Sequence, residues 1–237
     1  MRSPERRRSV VTRRPGEASG SARALDSEAA SLVRLSAALA GGSLNQIREE
    51  LEGAVAAVPA PKIEEALLQA YLFLGFPEVL VAMGVWREVC GHSPAADVEP
   101  GAEYETWSRR GEEVCRRVYG DSYEKLRRNV RRLHPELDRW MVEEGYGKVL
   151  GRPGLDQKTR ELCIVSLLSG TGREPQLHSH LRGSLNVGAT PEEVSEAVAI
   201  GLRSVRDEER RKMVRREWER VRARHRSVGD GSGESKA

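Results

Sequence analysis

Along nearly the whole chain apolar residues recur three and four positions apart, and strictly alternating runs are hard to find. This period restricts the fold more than any other feature, because it makes one stripe on a helix and cannot line one face of a strand. The stretch LHSHLRGSLNVGATPEEV, from Leu177 to Val194, shows it: Leu177, Leu181 and Leu185 repeat at i, i+4 and i+8, and Gly188 stands where such a helix ends. Thr190-Pro191-Glu192-Glu193 then supplies a cap, a proline suited to a first turn and a carboxylate able to close a capping box. Leu, Ala and Val dominate the apolar set and aromatics are few, so an all-α protein is expected.

Punctuation divides the pattern. Helices are predicted over ASLVRLSAALAGG, ending at Gly41-Gly42, over SLNQIREELEGAVAAV, capped by Ser43, and over PAPKIEEALLQAYLFLGFPEVLVAMGVWREVCG, which Pro77 kinks or divides. The Pro/Gly/Ala-rich GHSPAADVEPGAE reads as a loop, followed by helices around 104–119, 121–133, 135–150 and 158–168, the histidine helix, the capped helix after Thr190, and a last one through RDEERRKMVRREWERVRARHR. Four regions result: a disordered basic tail over 1–24, a first helical unit over 25–100, connecting helices with a second unit and a basic C-terminal helix over 101–226, and a disordered tail over 227–237.

Charge is distributed unevenly. Residues 1–24 carry 7 basic and 2 acidic side chains, residues 203–237 carry 12 and 7, and the body between them 20 and 27. Basic ends can touch anionic surfaces, but no reader motif or aromatic-studded basic strand accompanies them, so nucleic-acid binding is not expected. No apolar run reaches the 18 or so residues of a membrane span, and the N-terminus lacks the apolar core of a secretory signal, so a cytoplasmic protein is expected. Cys90, Cys115 and Cys163 are odd in number and widely spaced, which writes neither a disulfide framework nor a CxxC motif and predicts buried thiols.

His178 and His180 are separated by one residue, and on a helix side chains two apart diverge by about 200°. They therefore cannot share one metal ion, and no metal site is expected. Shifting the chain by 131 residues lays APKIEEAL on PEEVSEAV and the helix at 43–57 on the histidine helix, which points to two degenerate repeats of one helical unit. The copies differ chemically: Glu49 falls opposite His180 and Ala30 opposite Glu161, so only the second carries acid–base groups. From the residues alone His180 reads equally as a core-edge histidine bonded to a backbone carbonyl, and Glu161 as a first-turn helix carboxylate.

The run RPGLDQKTRELCIVSLLSGTGREPQLHSHLRGSLNVGATPEEV resembles the carboxymuconolactone decarboxylase family, and CRRVYGDSYEKL and LLQAYLFLGFPEVLVA are similar to further segments of it. The resemblance covers roughly residues 30–200 and rests on the joint spacing of R-E, a histidine eight before a glycine, and T-x-E-E. It implies an alkyl hydroperoxidase D-like helical domain, a homo-oligomer, and neither metal nor organic cofactor in the decarboxylase branch. It places the acid–base histidine on His180 and its acidic partner on Glu161. The peroxidase branch needs two cysteines where this chain has Arg173 and Gln176, so its dithiol is absent.

The implied reaction is a carboxy-lyase step on a small carboxylated lactone or related acid, with Glu161 fixing the tautomer and orientation of His180. Arg173 or Arg182 is placed to grip a substrate carboxylate, and Tyr71 and Tyr146 to edge the pocket. The family's Y-x-x-x-G-x-P element survives in the first copy as Tyr71, Gly75 and Pro77 and is lost from the second, where LRSVRDE stands instead. Each copy thus keeps what the other lacks, which predicts a composite site of His180 and Glu161 with Tyr71 or its neighbours. A non-enzymatic helical scaffold and a divergent peroxidase stay open as alternatives.

Overall fold

The computed structural model describes residues 24–91 and 103–231, and among them every regular element is helical. Expectations placed on residues 1–23, 92–102 and 232–237, which include most of the basic tail and of the Pro/Gly-rich loop, lie outside the described residues. The first four helices are α1 (Ser27–Leu39), α2 (Leu44–Val55), α3 (Ala60–Leu74) and α4 (Phe76–Cys90). Asp26 caps α1 by accepting the Ala29 N–H at 2.8 Å, and Ser43 forms a reciprocal capping box with Gln46 at the head of α2. The predicted division near Pro77 falls at Gly75, whose φ of 83° ends α3, while Pro77 sits in the first turn of α4, where no backbone donor is needed.

The remainder comprises α5 (Tyr104–Tyr119), a 3₁₀ turn over Gly120–Ser122, α6 (Tyr123–Leu133), α7 (Pro135–Trp140), a π-helix over Met141–Leu150, α8 (Gln157–Thr171), α9 (Glu174–Asn186), α10 (Pro191–Gly201) and α11 (Glu208–Gly231). The single helix expected over 135–150 is therefore α for its first part and π for its second. Apolar spacing does not separate the two ladders over ten residues, and tertiary contact decides. The π segment lies against α5 so closely that a Cβ on Gly147 would stand 2.0 Å from the Trp107 carbonyl oxygen, and one on Gly111 2.0 Å from that of Val142. Only glycine permits that approach. The last helix runs on to Gly231, beyond the fraying point expected near Ser227; the Ser227 hydroxyl bonds back to the Arg224 carbonyl at 2.8 Å, which leaves the helix intact there.

At the centre lies α8, buried from Thr159 to Gly170, and a helix covered on every side belongs inside a bundle. α1 and α10 pack on it, α1 packs on α2 and α3, and α4 on α2 and α3; in the same manner α8 packs on α9 and α10, and α11 on α9 and α10. Leu32, Leu35, Leu51, Ile63 and Leu67 from the first set meet Leu162, Ile164, Leu168, Leu177 and Leu181 from the second in one continuous core. The described chain starts pinned to this body, since the Ala24 and Leu25 N–H groups donate to Glu196 at 2.8 and 3.0 Å. No helix among the described residues is long and apolar enough to cross a membrane.

Candidate functional site

The head of α8 sets the first half of the site. Asp156 caps it, accepting from the Thr159 N–H at 2.9 Å and the Thr159 hydroxyl at 2.7 Å, which fixes the phase of the next turn and turns both Arg160 and Glu161 inward. On α9, Leu177 and Leu181 face the core, and His180 lies on the same inner side with 5% of its surface exposed. Glu161 is 1% exposed, and its Oε2 is 2.8 Å from His180 Nδ1. A buried carboxylate accepts the Nδ1 proton, which leaves the ring's second nitrogen, Nε2, outside this pair. Gly183, one turn past His180, makes room for this: a Cβ there would stand 2.9 Å from Glu161 Oε2 and 2.7 Å from Val118 Cγ1.

The first four helices reach the same place through α3. The Phe73 ring meets His180 edge-on, centroids 5.5 Å apart at 79°. Tyr71 makes neither a hydrogen bond nor a ring contact with the histidine; its hydroxyl donates to Glu144 at 2.7 Å and its ring stacks on Phe76 at 5.0 Å. The contact expected from the Tyr71 segment is thus made by its neighbour Phe73. Tyr146, on the π-helix, is buried and donates to the Tyr119 hydroxyl at 3.1 Å. Burial pushes both phenols upward, and the nearby Glu161 charge pushes the same way. Arg173 stands exposed at the start of α9, about 10 Å along the axis from His180.

The sequence reading missed the partner of Arg160. That guanidinium is 1% exposed and donates to Glu65 at 2.8 Å, to the Leu155 and Arg152 carbonyls at 3.1 and 3.0 Å, and to Gln69 at 3.4 Å. Arg152 Nε reaches the same Glu65 carboxylate at 3.1 Å. Burial pulls Arg160 below its ordinary value, and Glu65 opposes this. Glu65 and Gln69 stand four apart on α3, a polar pair on an otherwise apolar face, and that was the available signal. Glu65 joins α3 to α8 at Arg160, next to Glu161, while Phe73 on the same helix packs against His180.

His178 and His180 diverge as expected: His178 Nδ1 is 3.0 Å from Glu217 Oε2 on α11. Among the described residues no three histidine, cysteine or carboxylate side chains gather as a metal cluster. Cys115 and Cys163 are buried, and burial pushes each thiol up to about 12.

The sequence model of the Carboxymuconolactone decarboxylase family matches residues 135–209, which hold Glu161, His180, Gly188 and the Thr190 capping box. The 4-carboxymuconolactone decarboxylase of Acinetobacter baylyi is 31% identical over 91 residues, covering 38% of this chain and 68% of that protein. Peroxisomal protein 2 of Schizosaccharomyces pombe is 29% identical over 154 residues, 60% of this chain and 68% of its own length. The nitrosuccinic acid decarboxylase of Metarhizium robertsii is 36% identical over 89 residues, 37% of this chain and 62% of that enzyme. With an all-helical fold and these likenesses, the chain belongs to the carboxymuconolactone decarboxylase family.

Proposed function

We propose that this protein is a decarboxylase-like carboxy-lyase acting on a small carboxylated lactone or related acid, with His180 and Glu161 as its acid–base pair. The observation that carries the reading is the buried 2.8 Å hydrogen bond between the two residues that the family spacing picks out. Two of the relatives are named as decarboxylases, which supports the reaction class. In such a step the bond to the carboxylate carbon breaks, its electron pair passes into the substrate's conjugated carbonyl, and a proton is added to carbon as carbon dioxide leaves. With the Nδ1 proton held by Glu161, Nε2 takes up a proton from solvent, which makes the ring an imidazolium, and delivers that proton to the substrate carbon as carbon dioxide leaves. Burial around the pair removes water that otherwise stabilises the departing carboxylate.

Phe73 packs at a steep angle against the imidazole and forms a wall beside it. Tyr146, within the influence of Glu161, is the better placed of the two tyrosines to meet substrate, while Tyr71 positions Phe73 through the chain and Arg173 meets a carboxylate only at the outer end of α9. The composite reading of the site rests on Phe73, a residue of the first unit. A repeat origin is supported by the 131-residue offset, which brings the starts of α1 to α4 within one residue of those of α8 to α11. Phe76, Leu80 and Val81 remain exposed on α4, a surface suited to a second copy, and sedimentation of the full chain measures the assembly. The Schizosaccharomyces pombe relative is named as peroxisomal, so imaging the tagged full-length chain decides between that organelle and the expected cytoplasm.

The test is carbon dioxide release from a panel of carboxylated lactones and β-keto acids. His180→Gln is expected to lower turnover by about 10²- to 10⁴-fold while helicity is retained, since an amide cannot cycle a proton near neutrality. Release by neither protein from any substrate overturns the lyase reading and leaves the helical scaffold. Peroxide reduction lacks support from the two buried thiols, because neither Cys115 nor Cys163 is ionised near neutrality.

A further inference from the structure

We infer that the groove between the outer face of α9, the second half of α11 and the α5–α6 corner binds a small organic anion, with Arg182 and Arg224 holding its carboxylate or phosphate group and His178 accepting a hydrogen bond beside them. This site is distinct from the His180 pair. His178 and Arg182 stand four apart on α9 and share a face, whereas His180 lies two from each and points about 200° away. The outer face of α9 forms a wall of two adjoining cavities, of about 550 and about 330 Å³, which share Tyr119, Arg182, Asn186 and Arg224. Such volumes suit a small organic molecule.

Positive charge is in excess in the groove. Arg182, Arg224 and Lys125 line it, and among the described residues their side chains make no hydrogen bond or ion pair. Neighbouring arginines behave otherwise: Arg131 is held by Asp138 at 2.6 Å and Arg220 by Glu217 at 2.6 Å. Asp121 is the carboxylate that lines the larger cavity. Several unpaired cations around a concave surface concentrate anions there, and guanidinium forks match carboxylate and phosphate alike. Leu185 and Val221 add apolar lining, which favours an organic anion over a bare ion.

His178 lines the smaller cavity and is oriented from behind. Its Nδ1 lies 3.0 Å from Glu217 Oε2, on a carboxylate whose side chain is 2% exposed. Arg220 Nη2 is 3.1 Å from the same nitrogen and also donates to Glu217 at 2.6 Å, and because an ionised Glu217 can only accept, Nδ1 carries the ring proton. Nε2, which makes no hydrogen bond among the described residues, then carries the free lone pair. Burial pulls the imidazole below its ordinary value, opposed by the bond to Glu217 and assisted by Arg220 and Arg182, which keeps it neutral near pH 7. One feature sets the groove apart from the family site: Tyr119 and Lys125 precede residue 135 and Arg224 follows residue 209, so most of its lining lies outside the family match.

Calorimetric titration of the full chain with malate, whose hydroxyl can donate to His178, and with inorganic phosphate, paired with ¹⁵N NMR of the histidine rings, tests the site. At low salt one or both anions are expected to bind, and their relative affinities show whether a carboxylate or a phosphate is preferred. Arg182→Gln and Arg224→Gln are each expected to weaken binding about tenfold or more, the effect of losing one hydrogen bond to a charged group. The His178 ring signals move on titration and those of His180 do not, and His178→Gln removes part of the affinity while circular dichroism shows an intact fold. Three results overturn the inference: no heat and no shift with either anion at roughly 10 mM, an affinity too low for such a cluster; unchanged binding in the Arg182→Gln/Arg224→Gln double variant; or anion-dependent shifts at His180 in place of His178.

Discussion

Replacing Glu65 with Leu removes the carboxylate that Arg160 and Arg152 share. Arg160 then keeps its bonds to the Leu155 and Arg152 carbonyls and the long one to Gln69, but no counter-charge, at a position 1% exposed. Stripping one partner from a buried pair costs about 3–5 kcal/mol, because the remaining charge stays desolvated. Arg152 is partly exposed, so its share of the loss is small and the estimate rests on Arg160. Glu65→Leu combined with Arg160→Met restores most of that loss, since two apolar side chains of similar volume replace the pair and no charge remains inside. Urea unfolding followed by circular dichroism measures all four proteins, with midpoints compared at equal m-value. The signature is strong non-additivity: a large single-variant loss and a smaller one in the double variant. A Glu65→Leu loss under about 1 kcal/mol, or additive losses, refutes the reasoning and shows that the pair is solvated or its partners rearrange. The single variant is also expected to lose turnover on any substrate found, because α3 carries Phe73 to His180.

Gly183→Ala puts a methyl 2.9 Å from Glu161 Oε2 and 2.7 Å from Val118 Cγ1; the strain is expected to cost about 1–3 kcal/mol and to displace Glu161, which denaturation and turnover measure together. Cys163→Ser leaves turnover intact and lowers stability by about 1–3 kcal/mol through a buried hydroxyl, and full inactivation of a folded variant reopens thiol chemistry. Burial raises the Asp138 carboxyl, but bonds from Arg127 and Arg131 outweigh it and hold the group below its ordinary value. Its contribution is therefore complete above the unfolded-state value and fades as pH falls through the folded one, so Asp138→Asn is expected to flatten the acid limb of a stability–pH profile below about pH 4.

What was legible in the sequence was what local chemistry dictates. The Ser43 cap, the Thr190–Glu193 box and a division near Pro77 are written within four residues of the groups they serve, and the structure shows each of them. The π-helix was not, because its cause is the α5 backbone: Gly111 and Gly147 permit a contact that no window containing only one of them reveals. The same division runs through the site. Glu161 and His180 were picked out by the resemblance of one segment to the family, and the structure brings them to 2.8 Å. Glu65 and Glu217 were missed because they lie 95 and 39 residues from the side chains they hold, and an isolated glutamate on a helix reads as a solvated one. The consequence is an asymmetry between the two histidines. His180 has its carboxylate inside the family match and a wall from the first unit, Phe73, whereas His178 has its carboxylate on α11, beyond that match. Two histidine–glutamate pairs on opposite faces of one helix thus belong to different parts of the chain's design, and a substitution of either glutamate is expected to disturb its own histidine and leave the other ring's NMR signals in place. Coupled shifts at both rings in Glu217→Gln are the outcome that would join the groove and the buried pair into a single site.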